Sequence, residues 1–302
     1  MQMDFMGRAV LTACLTGVLL SGCGGQKEAP PAAAAQEEKE SAQNREEPAG
    51  REPVAQLPHV IAAKDFGNLQ LEDASLPVYD EYTLSERRAE GMTTVLPELT
   101  PYREKKVAYL TFDDGPDEVN TPAILDILRK ENIKATFYVV GRSVLAHPDV
   151  AKRIFLEGHA LGNHSYDHDY ERLYPFVSQY LEEMEKTDEI LHGLIGVRPL
   201  ITRAPGGRVG NFTGEYVSAL SANGYVEHDW NVSSADTAPN HPVAQDFIDN
   251  IEGQATMDSA IILMHSSSGH EETVKALPEI IRLLKEKGYS FGVVTPMTPG
   301  SE

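Results

Sequence analysis

Along positions 105–294 short runs rich in β-branched and aromatic residues alternate with amphipathic segments, and nothing else in the 302-residue chain constrains its fold as much. Val107–Phe112 reads as a buried strand. Pro122–Glu131 reads as a helix, with Asn120 or Thr121 as N-cap and Pro122 in its first turn. Further strands are expected at Ala135–Val140, Ala160–Gly162, Leu200–Thr202, Tyr225–Trp230, Ala260–Met264 and Ser290–Val294. Helices are expected between them at Val150–Glu157, Pro175–Ile195, Gly214–Asn223, Val243–Gln254 and Glu272–Lys287. This alternation argues for parallel βαβ units. An incomplete barrel and an open doubly wound sheet both accommodate it.

Five patches narrow the choice: Thr111-Phe112-Asp113-Asp114-Gly115-Pro116, His164-Ser165-Tyr166-Asp167-His168, Arg203-Ala204-Pro205-Gly206-Gly207, Trp230 to Asp236, and Leu263-Met264-His265. Each begins at or just past the C-terminal end of an expected strand. A barrel gathers those ends on one rim, whereas an open sheet holds the outer ones apart, so the expected fold is α/β, a distorted, incomplete (β/α) barrel. Brought together, the patches supply a carboxylate pair, two histidines at metal-ligand spacing, an arginine and a late histidine, the parts for metal-assisted hydrolysis. Singly, each has a plainer reading: a turn for Asp-Asp-Gly-Pro, a helix face for the histidine pair, a surface ion pair for Arg203 and a buried strand-end histidine for His265. Trp230, the one tryptophan, would be core packing. Their order and shared placement outweigh those readings.

The chain begins differently. Ala9–Leu20 is apolar but short for a membrane span, and small residues and a cysteine follow it, the layout of a secretory signal. Leu20-Ser21-Gly22-Cys23 resembles the lipobox of bacterial lipoproteins, which implies that residues 1–22 are removed and Cys23 carries the lipid. An ordinary cleaved signal is the alternative. Residues 23–57, mostly Glu, Ala, Pro, Gln and Lys, cannot bury enough apolar surface to offset their ordering entropy and are expected to form a disordered tether. Residues 58–104 are mixed, either an arm packed on the main domain of residues 105–298 or more linker. Cys14 and Cys23 are the only cysteines, so no internal disulfide is expected in the exported chain. A net charge of −20 excludes nucleic acid bound over a broad surface.

In this order, the five patches resemble those of the polysaccharide deacetylases of carbohydrate esterase family 4, with the NodB homology domain. The resemblance spans residues 105–294 and implies a distorted (β/α) barrel, one divalent metal and removal of N- or O-acetyl groups from sugars. It also implies Asp114, His164 and His168 as metal ligands, Asp113 as general base, Arg203 as the residue orienting that base, and His265 as general acid with Asp236 sustaining its charge. By the same resemblance the Gly206 N–H, next to Pro205, receives the oxyanion, and Trp230 and Leu263 line the pocket for the acetyl methyl. Zinc is the expected ion; cobalt, manganese and nickel also suit two imidazoles and a carboxylate.

Two positions depart from the family pattern. Gly206 and Thr237 stand where aromatic residues are common, so the cleft is either wider or filled by other side chains. The expected activity is deacetylation of N-acetylglucosamine residues in cell-wall glycan, peptidoglycan or chitin-like, by an exported, lipid-anchored enzyme. The alternatives are an O-acetyl esterase acting on xylan or another exopolysaccharide, and a non-catalytic glycan-binding lipoprotein.

Overall fold

A computed structural model describes residues 58–69, 76–101 and 106–299. The signal segment, Cys23 and the tether expected from the sequence lie outside the described residues. The strands are β1 (Ile61–Ala63), β2 (Val78–Asp80), β3 (Val107–Asp113), β4 (Thr136–Val139), β5 (Ala160–Asn163), β6 (Arg198–Pro199), β7 (Ile201–Thr202), β8 (Val226–Glu227), β9 (Val232–Ser233), β10 (Ser259–His265) and β11 (Ser290–Gly292). The helices are α1 (Leu84–Ala89), α2 (Asn120–Glu131), α3 (Gly141–Ala146), α4 (Pro148–Leu156), α5 (Tyr170–Leu173), α6 (Val177–Ile195), α7 (Gly214–Ala222), α8 (Ala244–Gln254) and α9 (Glu271–Glu286).

Eight strands form one parallel sheet in the order β8-β7-β5-β4-β3-β10-β9, with β11 added beside β3. β8 and β9 are neighbours in sequence yet sit at opposite ends of that order. Residues 228–231 alone join them, and an extended chain covers at most roughly 18 Å over that interval. The sheet therefore curls until its edges nearly meet, which is the incomplete barrel expected from the strand-end patches.

β3 is its axis. β10 pairs along the whole of β3, while β11 and β4 share its other side, β11 against Val107–Tyr109 and β4 against Thr111–Asp113. Ala108, Leu110 and Phe112 pack outward with Ile262, Met264 and Phe137 beneath Ile124, Leu128 and Ile280 of the helices. Val107 and Tyr109 pack inward with Tyr138 and Ile261. The two-residue period then places Thr111 and Asp113 on the inner face of β3, and Leu263 and His265 on that of β10.

Some elements differ from expectation. The strand expected at Tyr225–Trp230 is divided, because the chain leaves the β7 edge after Glu227 and crosses to β10, where the Asn231 N–H donates to the Ile261 carbonyl at 3.1 Å. Helix α2 starts at Asn120 and is held by neither Asn120 nor Thr121 but by Asp117, whose Oδ1 accepts the Thr121 N–H at 2.7 Å. α3 was not expected, and α4 starts earlier, at Pro148.

The described part of 58–101 packs on the barrel. β2 pairs with β1 and, antiparallel, with β6, and the Tyr79 hydroxyl accepts the Leu161 N–H of β5 at 2.9 Å. Asp80, fully buried, accepts from Arg87 Nε and Nη2, both at 2.6 Å, and from Arg198 Nε at 3.0 Å. Arg198 also reaches Asp188 of α6 at 3.3 Å. No described helix is long and apolar enough to cross a membrane. Asp80→Ala strands two buried guanidinium groups, so unfolding should ease by about 3–5 kcal/mol. Calorimetry should then show Tm lower by roughly 6–20 °C.

Candidate active site

Asp113 ends β3, and Asp114 turns out of the strand with φ 70°. This left-handed backbone, more than the strand pleat, gives the adjacent carboxylates different partners. Asp113 Oδ1 accepts from Arg203 Nη1 at 2.9 Å. Asp114 Oδ1 faces His164 Nε2 at 3.4 Å and His168 Nε2 at 3.2 Å.

The two histidines lie on a tight loop after β5, not on a helix face. Ser165 and His168 adopt φ 68° and 60°, the Ser165 hydroxyl accepts the His168 N–H at 3.0 Å, and Asn163 Oδ1 accepts the Ser165 N–H at 3.1 Å. The first amides of α3 hold the loop carbonyls, Gly141 N–H on Ser165 and Arg142 N–H on Tyr166. From α6, Glu183 Oε2 accepts the N–H groups of Tyr166 and Asp167 at 3.1 and 3.0 Å. The acidic run Glu182-Glu183-Glu185 reads from sequence as solvated surface; Glu183 is instead buried against this loop, while Glu185 pairs with Arg88.

His164 Nδ1 lies 2.8 Å from the Arg203 carbonyl, which only accepts, so the Nδ1 proton points there and the Nε2 lone pair points at Asp114. Asp114 Oδ1 is buried without a hydrogen-bond partner, and one ligand atom from each of Asp114, His164 and His168 lies within 4.8 Å of the others. Three converging electron pairs, one on an orphaned carboxylate oxygen, fit a divalent cation of the zinc class. Burial opposes ionisation of Asp114, but the imidazoles of His164, His265 and His168 around it hold its carboxyl well below the usual range. Burial acts to lower the His164 pKa and is overridden by Asp113 and Asp114, which raise it. Burial, then His164, lowers that of His168.

Arg203 is fully buried and every arm is bonded: Nη1 to Thr111 Oγ1 at 2.6 Å and to Asp113, Nε to the His228 carbonyl at 2.9 Å, Nη2 to the Asp229 carbonyl at 3.2 Å. Its guanidinium lies 4.2 Å from the Tyr138 ring centroid and 5.8 Å from that of Trp230. His228 thus serves through its carbonyl; its ring bonds the Thr298 carbonyl, and burial pushes its pKa down to about 4.

On the β10 side, His265 Nδ1 lies 2.9 Å from Asp236 Oδ1, while Asp236 Oδ2 accepts the His265 N–H at 2.8 Å and the Thr273 hydroxyl at 2.9 Å. Burial would lower the His265 pKa, but the Asp236 bond and charge, with Asp113 and Asp114, push it up to about 9. Burial would raise the Asp236 pKa, but the ring bond and charge of His265, the Thr273 hydroxyl and the His265 N–H together lower it. His270 stacks on His265 with ring centroids 5.0 Å apart.

Gly206 turns the third patch outward at φ 73°, with the preceding Pro205 carbonyl accepting the Tyr174 hydroxyl at 2.6 Å. The third and fourth patches meet at Gly207, where a Cβ would lie 3.0 Å from Trp230 Cη2. Leu263 lines the inner face two residues before His265, only 7% exposed. Beside Thr237 a cleft of about 430 Å³ opens between Asp236, Pro239, Phe247, His270 and Thr273. Thr111, Tyr174, Glu183, His270 and Thr273 also contact the residues of the site, with no role expected for them from the sequence. Only Thr111 carried a signal, two residues before Asp113 on one strand face.

A family model described as polysaccharide deacetylase matches residues 101–227. The chain is similar to a peptidoglycan-N-acetylglucosamine deacetylase of Bacillus cereus, 35% identical over 211 residues, which cover 68% of this chain and 76% of the relative. Among solved structures, the polysaccharide deacetylase Bc1974 of Bacillus cereus aligns with TM-score 0.59 at 36% identity, covering 63% of this chain and 92% of its own. The catalytic domain of a peptidoglycan N-acetylglucosamine deacetylase from Eubacterium rectale aligns with TM-score 0.63 at 29% identity, covering 68% and 96%.

Glu183 touches none of the three converging side chains but fixes the loop bearing two of them. Glu183→Ala should weaken zinc binding by about 10–100-fold in calorimetric titration while the far-ultraviolet circular dichroism stays as in the parent.

Proposed function

Given that the chain belongs to the polysaccharide deacetylase family of carbohydrate esterases, hydrolases acting on amide bonds of glycans, we propose that it deacetylates N-acetylglucosamine residues of peptidoglycan with a divalent cation held by Asp114, His164 and His168. One observation carries this reading: a base-and-arginine pair and an acid-and-carboxylate pair stand on one rim beside a convergent two-histidine, one-carboxylate set. Relatives that bear the name peptidoglycan-N-acetylglucosamine deacetylase support the substrate. The signal and lipobox pattern ending at Cys23 supports an exported enzyme tethered to the membrane, where wall polymer is the first glycan within reach.

Amide hydrolysis needs an activated water, a stabilised oxyanion and a proton for the departing nitrogen. A cation held by Asp114, His164 and His168 would supply Lewis acidity toward the acetyl carbonyl and water. Asp113, fixed by Arg203, accepts the proton of the attacking water. The Gly206 N–H faces the developing oxyanion, an interaction of a kind worth about 2.7–4 kcal/mol. His265, with Nδ1–H directed at Asp236, carries a second proton on Nε2 and delivers it to the glucosamine nitrogen as the C–N bond breaks. Trp230 and Leu263 close around the acetyl methyl.

The zinc-loaded protein should release acetate from peptidoglycan and from N-acetylglucosamine oligomers, lose that activity on chelation and regain it with zinc, cobalt, manganese or nickel. Absence of acetate from both glycans with the metal bound would sink the reading, and release from acetylxylan alone would make the enzyme an O-acetyl esterase. Asp113→Asn should lower kcat by about 10²–10⁴-fold. His265 must be protonated to act, so activity should hold below its pKa of about 9 and fall as pH rises through it. Asp236→Asn removes the group that raises this pKa and leaves the burial that lowers it, so the alkaline limb of the kcat profile should move to lower pH.

A further inference from the structure

Gly206 has no side chain, but the space one would enter is taken. A Cβ there would fall 2.8 Å from Tyr170 Cε1 and 3.0 Å from its hydroxyl oxygen. Tyr170 opens α5, immediately after the histidine loop, and Asp169 caps the turn by accepting the Glu171 N–H at 3.0 Å. Its ring meets that of His168 edge-on at 5.3 Å and leans toward Tyr174 at 6.1 Å, whose hydroxyl grips the Pro205 carbonyl. The segment from Tyr170 to Tyr174 thus holds the Pro205–Gly206 turn by a carbonyl and flanks it with a ring.

Core packing does not account for this ring. Tyr174 leans on Tyr180 and Tyr216, which are 0% and 5% exposed, whereas Tyr170 is 48% exposed. A ring fixed on one side by a histidine and on the other by a turn, with its remaining surface open, is built to meet a molecule from outside. We infer that Tyr170 is the platform on which a pyranose ring of the substrate rests, a specificity-determining residue that the second patch's loop lends to the third. Sugar rings present C–H faces that pack on aromatic faces, and the phenol adds a hydrogen bond at the edge. The inference rests on the proposed deacetylation of a glycan, since it needs a hexosamine at this rim.

The test compares the zinc-loaded full chain with Tyr170→Ala and Tyr170→Phe, using the tetramer of N-acetylglucosamine in acetate-release kinetics and in calorimetric binding. Tyr170→Ala should raise both KM and Kd about tenfold, with kcat changed far less and zinc content unaltered, while Tyr170→Phe keeps most of the affinity. Gly206→Ala should cost less affinity in the Tyr170→Ala background than alone, because the ring it strikes is gone. Acetate release with KM and Kd unmoved by Tyr170→Ala overturns this inference and leaves the proposed reaction standing, as does a loss traced to departing zinc. Binding that depends on Tyr170 without acetate release from any form sustains the platform and overturns the reaction.

Discussion

The buried pair of Arg203 and Asp113 is the constraint on which the rest depends. A guanidinium without access to water must find a partner for each N–H, and here the partners come from two places: Thr111 and Asp113 on β3, and the carbonyls of His228 and Asp229 on the crossover from β8 to β9. The same residue's own carbonyl fixes the His164 ring. One residue thus draws the curled sheet's edge toward its central strand with its side chain and sets the orientation of a histidine with its backbone carbonyl. Removing either partner of so enclosed a pair leaves an uncompensated charge, so site geometry and barrel closure share one origin.

Around that pair the rim divides into two carboxylate–partner units of opposite character. Asp113 is an acceptor steadied by a permanent cation. Asp236 is saturated by three donors and in turn keeps a proton on His265. Between them Asp114 has a buried oxygen with no donor, a state that low-dielectric surroundings make costly unless a cation answers it. Three carboxylates within one rim therefore behave differently because of their partners alone.

The barrel and the five patches were legible in the sequence because both follow from local rules. Strand runs alternate with helical ones, and reactive residues sit where strands end. Asp113, Asp114, His164, His168, Arg203, Asp236 and His265 all lie at the rim that this placement implied. What escaped depends on contacts between distant positions. The sheet of β1, β2 and β6 is specified by Asp80 meeting Arg87 and Arg198, and charged residues in a mixed composition give no sign that they will be buried together. Glu183 looks like any helix-surface glutamate until the loop it caps is folded against it. Tyr225–Trp230 has the composition of one strand, yet barrel closure needs a crossover there.

Asp114 and His168 share a feature separate from their chemistry: both hold the backbone at positive φ. Asparagine, aspartate and histidine are the side-chain-bearing residues that enter this region most readily. The positions therefore select on two grounds at once, electron-pair donation and tolerance of a left-handed turn. Glutamate or cysteine would satisfy the first and resist the second. Any attempt to retune the proposed ligand set by evolution or by design thus meets a backbone filter before coordination chemistry is consulted, and the accessible alphabet at these sites is narrower than a cation by itself would require.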